Sequence, residues 1–169
     1  MRGYTALTEG LAPGEVPELV NRFYGASSAA MVPHGALLGQ IEGDNVMAMF
    51  VPGLAGTQYR RNAVLAGRAL LQAMGYGSGE GNWLHVGVGI ASGEEFVGNV
   101  GGGGYKDFTA VGDVTNTSAR LTAQAAGGEI LLDGETYLAV ADEFPDAQRR
   151  TLELKGKSAP VTAYVIAGG

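Results

Sequence analysis

Residues 84–121 read LHVGVGIASGEEFVGNVGGGGYKDFTAVGDVTNTSARL, and this stretch decides the fold. Val86, Val88 and Ile90 alternate with glycines, the period-2 pattern of a strand. Ser92 and Gly93 predict a turn, and 96–100 predicts a strand running back as the hairpin partner of the first. Beyond the glycines at 101–104, residues 108–111 predict a further strand that re-enters the sheet. Gly112 and Asp113 punctuate a helix start, with the Asp113 carboxylate placed to cap free backbone N–H groups. On that helix Asn116 and Arg120 lie four apart and share one face, while Val114, Ser118, Leu121 and Ala125 make a neighbouring face of small and apolar residues. An amide and a guanidinium side by side near a helix N-terminus form a site for a negatively charged group.

Working outward, 13–33 predicts a helix, with Val16, Leu19, Val20, Phe23, Tyr24 and Ser27 at spacings of three and four and Pro17 near its start. Residues 36–41 and 46–51 are apolar runs separated by Glu42, Gly43, Asp44 and Asn45, a hairpin signal. Asp44 there reads as turn chemistry on its own. A second helix is predicted over 59–74 from Val64, Leu65, Ala69, Leu70 and Met74, and 75–82 is a polar connector. Past the central stretch come a strand at 129–133, a short helix at 134–140, and a closing strand pair at 148–154 and 161–166 around the basic turn LKGKSAP. His34 and His85 have no partners at metal-ligand spacing. Neither GVGIASG nor GNVGGGGYKD has the spacing of a dinucleotide or P-loop fingerprint.

Composition narrows the classes. A chain of 169 residues is one domain's length, and 46% hydrophobic with 17% charged residues excludes disorder. The net charge of −6 argues against a general nucleic-acid-binding role, which needs a basic face. There is no cysteine, so disulfides and thiolate metal sites are excluded. With no apolar run long enough to span a bilayer and no signal sequence, the expected location is the cytoplasm.

The central stretch, taken with QIEGDNVMAMF at 40–50 and ELKGKSAPVTAY at 153–164, resembles the catalytic domain of class III adenylyl and guanylyl cyclases. Its most specific part is TAVGDVTNTSARL, and the blocks occur in the family's order over nearly the whole chain. The order of elements predicts an α+β sandwich, a mixed, mainly antiparallel sheet with helices mainly on one side, and the resemblance implies the ferredoxin-like core of the cyclases. It implies cyclisation of a purine nucleoside triphosphate, ATP favoured over GTP, with release of pyrophosphate, in cyclic-nucleotide signalling. Two divalent cations, Mg²⁺ or Mn²⁺, are implied as cofactors, with Asp44 as a metal ligand. Asn116 would orient the ribose and Arg120 would offset charge at the α-phosphate. Gly3, Tyr4 and Thr5 would offer backbone N–H groups to the triphosphate, and Lys155 would contact it. Gln40 and Thr109 stand at the base-reading positions, where an amide and a hydroxyl accept either purine. The family builds its sites across a two-fold homodimer, and regulatory domains in a longer chain are further expected partners.

Three departures from the family pattern stand out. Gln40 is neither the lysine nor the glutamate usual there. Gly104 replaces a frequent arginine, with Lys106 close behind. The chain opens at MRGYTALT, one residue past the point where relatives carry the first metal-binding Asp at the end of a strand. An N-terminally truncated, single cyclase domain with weakened activity is therefore expected. The rival reading is a degenerate, non-catalytic nucleotide-binding or regulatory module; a dinucleotide-forming cyclase is a third, disfavoured by the Asn and Arg spacing.

Overall fold

The computed structural model describes residues 1–153 and 160–168, apart from the side chains at 40–42 and 105. The N-terminal half runs α1 (Tyr4–Glu9), α2 (Glu15–Met31), a 3₁₀ turn (Val32–His34), β1 (Leu37–Glu42), β2 (Asn45–Met49), α3 (Pro52–Ala55) and α4 (Tyr59–Ala73). The C-terminal half runs β3 (Val88–Ile90), β4 (Phe96–Gly102), β5 (Tyr105–Val111), α5 (Asp113–Gln124), β6 (Glu129–Leu132), α6 (Gly134–Leu138), β7 (Gln148–Leu152) and β8 (Val161–Ala167). A four-stranded sheet in the order β3-β6-β8-β7 is flanked by two separate hairpins, β1-β2 and β4-β5. Only the β3-β6 pair is parallel among the described strands, so the architecture is α+β with a mainly antiparallel sheet.

The glycine alternation around β3 separates two layers. Val88 and Ile90 pack against the cluster built from Phe23 and Met31 of α2 and Val64, Leu70 and Leu71 of α4. The intervening glycines face the other way, onto α5, whose Leu121 packs with Leu131, Ala163, Val165 and Ala125. Strand β6 shows the same period of two: Ile130 and Leu132 join the first cluster and Leu131 the second. Helices thus lie on both faces of the sheet, α2 and α4 on one and α5 on the other. The completely buried Leu121 contributes about 1.5–3 kcal/mol to holding α5 there.

One expected pairing is not formed. Strand β3 does not make a hairpin with β4; it pairs in parallel with β6, Val88 opposite Ile130. The partner of β4 is β5, from Phe96 opposite Val111 to Gly102 opposite Tyr105. The reversal occurs at Gly103, which has φ 65°, a left-handed conformation that glycine adopts without steric cost. Residues after β3 serve other elements instead: the Ser92 N–H donates to Asp133 Oδ2 (3.1 Å), and Ser92 Oγ lies 2.7 Å from Thr136 Oγ1 at the start of α6.

The open end of the sheet is tied by a two-pronged ion pair. Arg150 of β7 donates to both carboxylate oxygens of Glu129 at the start of β6, at 2.8 and 2.6 Å, across the intervening β8. The Ala126 N–H donates to the same carboxylate at 2.8 Å. The Arg150 hydrogen bonds, aided by that N–H, hold the Glu129 pKa below its ordinary value against partial burial. A depressed folded-state pKa contributes stability that is present above the unfolded value, about 4.3 for glutamate, and is lost as pH falls through the folded value. Melting curves should therefore show Glu129→Gln less stable than the parent at pH 7, with the gap closing below about pH 4. A gap that stays constant down to pH 3 would contradict this role for the pair.

Candidate active site

Helix α5 carries the most specific sequence signal, and its seat on β3 is unusually close. A Cβ on Gly89 would stand 2.6 Å from the Ser118 carbonyl oxygen and 2.7 Å from the Leu121 carbonyl carbon. One on Gly87 would stand 2.7 Å from the Ala125 carbonyl oxygen. Helix backbone therefore rests on strand backbone, and Ser118 Oγ donates to the Gly89 carbonyl at 3.3 Å.

Both ends of the helix are held by side chains from elsewhere. At the N-terminus the cap position is Gly112, and Asp113 is the first helical residue rather than the expected cap. The carboxylate that accepts from the first turn belongs to Glu95, just before β4: it takes the Thr115 N–H at 2.9 Å and the Thr115 hydroxyl at 2.7 Å. At the C-terminus Arg2 donates to the Thr122 carbonyl and, at 3.3 Å, to the Ala123 carbonyl, placing a cation at the negative end of the dipole. Between these anchors Asn116 is exposed and Arg120 half-buried, and neither side chain has a polar partner among the described residues. A guanidinium left with its five donors open beside a free amide suits a planar, anionic oxygen group.

Thr109 lies on β5 opposite Gly98 of β4, on the hairpin face that also carries Phe96, Val100 and Val111. Asp107, opposite Val100, shares that face, whose apolar residues are open to solvent, Phe96 being 56% and Val111 52% exposed. Phe108, on the opposite face, is exposed as well.

Asp44 belongs to a second group of residues. It follows Gly43 (φ 56°) in the two-residue loop of the β1-β2 hairpin, flanked by the Glu42–Asn45 pair. The Met1 amino group donates to the Asp44 carbonyl at 2.5 Å and lies 3.8 Å from its carboxylate. The Arg2 N–H donates to the His85 carbonyl at 2.7 Å. The chain at Met1–Arg2 therefore bridges the hairpin tip and the residues leading into β3. Gly3, with φ 66°, turns the chain into α1, whose first residues are Tyr4 and Thr5. Tyr24 of α2 donates its hydroxyl to the Gly43 carbonyl at 2.5 Å. Burial first, then the nearby Tyr4 and Asp44, raise the Tyr24 pKa, so this hydroxyl remains a protonated donor.

The predicted site residues thus fall into two groups: Gly3, Tyr4, Thr5 and Asp44 in one, and Thr109, Asn116 and Arg120 in the other. No hydrogen bond or ion pair joins the two groups among the described residues, and Arg2 makes the polar link between the first segment and the end of α5. Lys155 and the Gln40 side chain lie outside the described residues. No set of three or more His, Cys, Asp or Glu side chains is arranged to hold a metal among the described residues. The partly exposed Asp44 carboxylate offers oxygen atoms of the kind a hard divalent cation takes as ligands. Glu95, Arg2, Thr115 and Tyr24 were not legible as site-building residues, because each acts through a contact with a distant segment.

Comparison with known proteins places the chain in a family. The family model described as the adenylate and guanylate cyclase catalytic domain matches residues 1–168. The chain belongs to that family. Among solved structures, the guanylyl cyclase Cya2 is 28% identical with a TM-score of 0.84, over 98% of this chain and 86% of that one. The adenylyl cyclase CyaB from P. aeruginosa is 27% identical with a TM-score of 0.80, over 97% and 88%. Adenylate cyclase 1 of Rhizobium meliloti (strain 1021) is 26% identical over 98% of this chain, which spans only 26% of that protein. An adenylate cyclase of Mycobacterium tuberculosis (strain ATCC 25618 / H37Rv) is 27% identical over 97% of the chain, which spans 37% of it. Among the described residues, no helix is long and apolar enough to cross a membrane.

If backbone contact at Gly89 positions the helix, Gly89→Ala must push α5 off the strand. Overpacking of this kind costs about 1–3 kcal/mol, and the expected drop in melting temperature is roughly 2–4 °C per kcal/mol for a chain of this size. Gly53→Ala, whose Cβ would meet nothing within 4 Å, should cause no such loss. Equal melting temperatures for Gly89→Ala and the parent would contradict the close seat.

Proposed function

We propose that the chain is a catalytic domain that converts a purine nucleoside triphosphate to its 3′,5′-cyclic nucleotide and pyrophosphate. The observation that carries this reading is the unpartnered Asn116–Arg120 pair on a helix fixed at both ends and along its length. In the reaction the ribose 3′-oxygen bonds to the α-phosphorus, the bond from that phosphorus to the bridging oxygen breaks, pyrophosphate leaves, and the 3′-hydroxyl proton passes to solvent. Catalysis of this kind rests on positioning and on neutralising charge. Arg120 offsets charge on the α-phosphate, and Asn116 orients the ribose. Backbone N–H groups at Gly3, Tyr4 and Thr5, together with Lys155, take the terminal phosphates, while Gln40 and Thr109 face the base. Asp44 would hold a divalent cation, Mg²⁺ or Mn²⁺, and the two such ions of the proposed site would supply charge neutralisation and lower the 3′-hydroxyl pKa.

ATP is favoured over GTP, supported by the adenylate cyclases among the relatives; the likeness to the guanylyl cyclase Cya2 keeps GTP as a second substrate to assay. The separation of the site residues into two groups supports a two-fold homodimer in which Asp44 and the Gly3 turn of one chain meet Thr109, Asn116 and Arg120 of the other. The exposed apolar face of the β4-β5 hairpin provides a surface for that contact. A non-catalytic nucleotide-binding module is the second reading, favoured by the lack, among the described residues, of three or more His, Cys, Asp or Glu side chains arranged to hold a metal.

The test uses two inactive chains. Arg120→Ala should lower turnover at least about a hundredfold, the scale for losing a charge-stabilising donor, with melting temperature little changed as for a surface substitution. Asp44→Ala should do the same. Mixed together, with subunit exchange verified, the two should regain activity, because each heterodimer holds one intact site. Mixtures no more active than either chain alone would contradict the shared site, and full activity of Arg120→Ala would contradict the catalytic assignment.

A further inference from the structure

The two residues of the β1-β2 turn are tied down by groups that do not belong to the hairpin. Phe23 and Tyr24 stand side by side on α2, their ring centroids 5.8 Å apart. Phe23 is buried in the cluster between α2 and α4, and Tyr24 packs against the same cluster with its ring. Its hydroxyl extends past this apolar contact to the Gly43 carbonyl, 2.5 Å away. The next carbonyl, that of Asp44, accepts from the Met1 amino group. Both peptide oxygens of the turn are therefore engaged, while the Asp44 carboxylate stays 44% exposed. The hairpin needs such support. Its strands rest on the core through Leu38, Val46 and Ala48, whereas a register irregularity lies between Leu38 and Ile41 and Gly43 at the tip is exposed. A tip of this kind gains definition from a tether outside the hairpin.

We infer that Tyr24 is a positioning residue, whose hydroxyl fixes the Gly43 peptide and so sets the direction in which Asp44 presents its carboxylate to a divalent cation. The inference rests on the reading of Asp44 as a metal ligand. It adds a residue from a different element, with a role that depends on one oxygen atom. A phenylalanine in its place keeps the ring and its packing and loses only the tether. The Gly43 carbonyl then turns to water, and the Asp44 peptide samples orientations that the hydroxyl excludes. A hard cation such as Mn²⁺ gains most from a carboxylate already aimed, since aiming it on binding costs conformational freedom.

The experiment is a Mn²⁺ titration of the nucleotide-free, ¹⁵N-labelled chain, following paramagnetic broadening of the amide resonances of Asp44, Asn45 and Val46, with melting curves alongside. Tyr24→Phe should weaken the site-specific Mn²⁺ affinity roughly three- to tenfold, the range that one hydrogen bond supplies, at an essentially unchanged melting temperature. Asp44→Ala should abolish the broadening, and adding Tyr24→Phe to it should change nothing further. Parental affinity in Tyr24→Phe, beside an Asp44→Ala chain that has lost it, would overturn the inference alone. Parental affinity in Asp44→Ala would overturn both the inference and the metal reading beneath it. An affinity that falls in Tyr24→Phe only in step with its melting temperature would also count against positioning, since general loosening then accounts for the loss.

Discussion

The rest of the structure depends on the contact of the α5 backbone with the glycine face of β3. Side chains at 87 and 89 would occupy the space that the turns of α5 around Ser118, Leu121 and Ala125 fill. Their absence lets a helix sit at backbone distance from a strand, with the Ser118 hydroxyl bonded to the Gly89 carbonyl. The opposite face of the same strand carries Val88 and Ile90 into the larger core. One alternating sequence thus binds two layers together and fixes the height at which Asn116 and Arg120 stand. Rotation of the helix is limited by Glu95 at one end and Arg2 at the other. An exposed amide and a half-buried guanidinium acquire a defined place without making a polar contact of their own among the described residues.

Much of this was legible in the chain. Helices α2 and α4 follow from apolar spacings of three and four, and the closing strands from period-2 runs. Strand partners were less legible, because periodicity identifies a strand without saying what lies beside it. The turn signal at Ser92 and Gly93 was read as a hairpin. Ser92 is instead occupied with Asp133 and Thr136, and the reversal falls at Gly103, where the glycine run allowed several registers. The short helices α1 and α3 carry too few residues to show a period. In the candidate site, Asp44, Thr109, Asn116 and Arg120 were named from short-range patterns and from the likeness to a family. Glu95, Arg2 and Tyr24 act across 19 to 121 residues of sequence, where no local pattern reaches.

The division of the site residues has a chemical sense. A cation-binding carboxylate and a guanidinium that needs an anion would neutralise each other if they met in one free chain. Here Asp44 stands at a hairpin tip and Arg120 on the far layer of the sheet, with no ion pair between them among the described residues. Arg120 has no ion-pair partner among the described residues, and the Asp44 carboxylate faces the Met1 amino group at 3.8 Å. In the proposed dimer a triphosphate with its cations separates the two charges and takes a share of both. The exposed apolar residues of the hairpin, Phe96, Val100 and Val111, would bring the chains together.

The central claim is tested most directly by the fate of the α-phosphorus. Incubated with Mn²⁺ and ATP or GTP labelled at that atom, the chain is predicted to release 3′,5′-cyclic nucleotide and pyrophosphate in equal amounts. Nucleotide that binds but is recovered intact, or that appears only as linear mono- or diphosphate, would contradict the account.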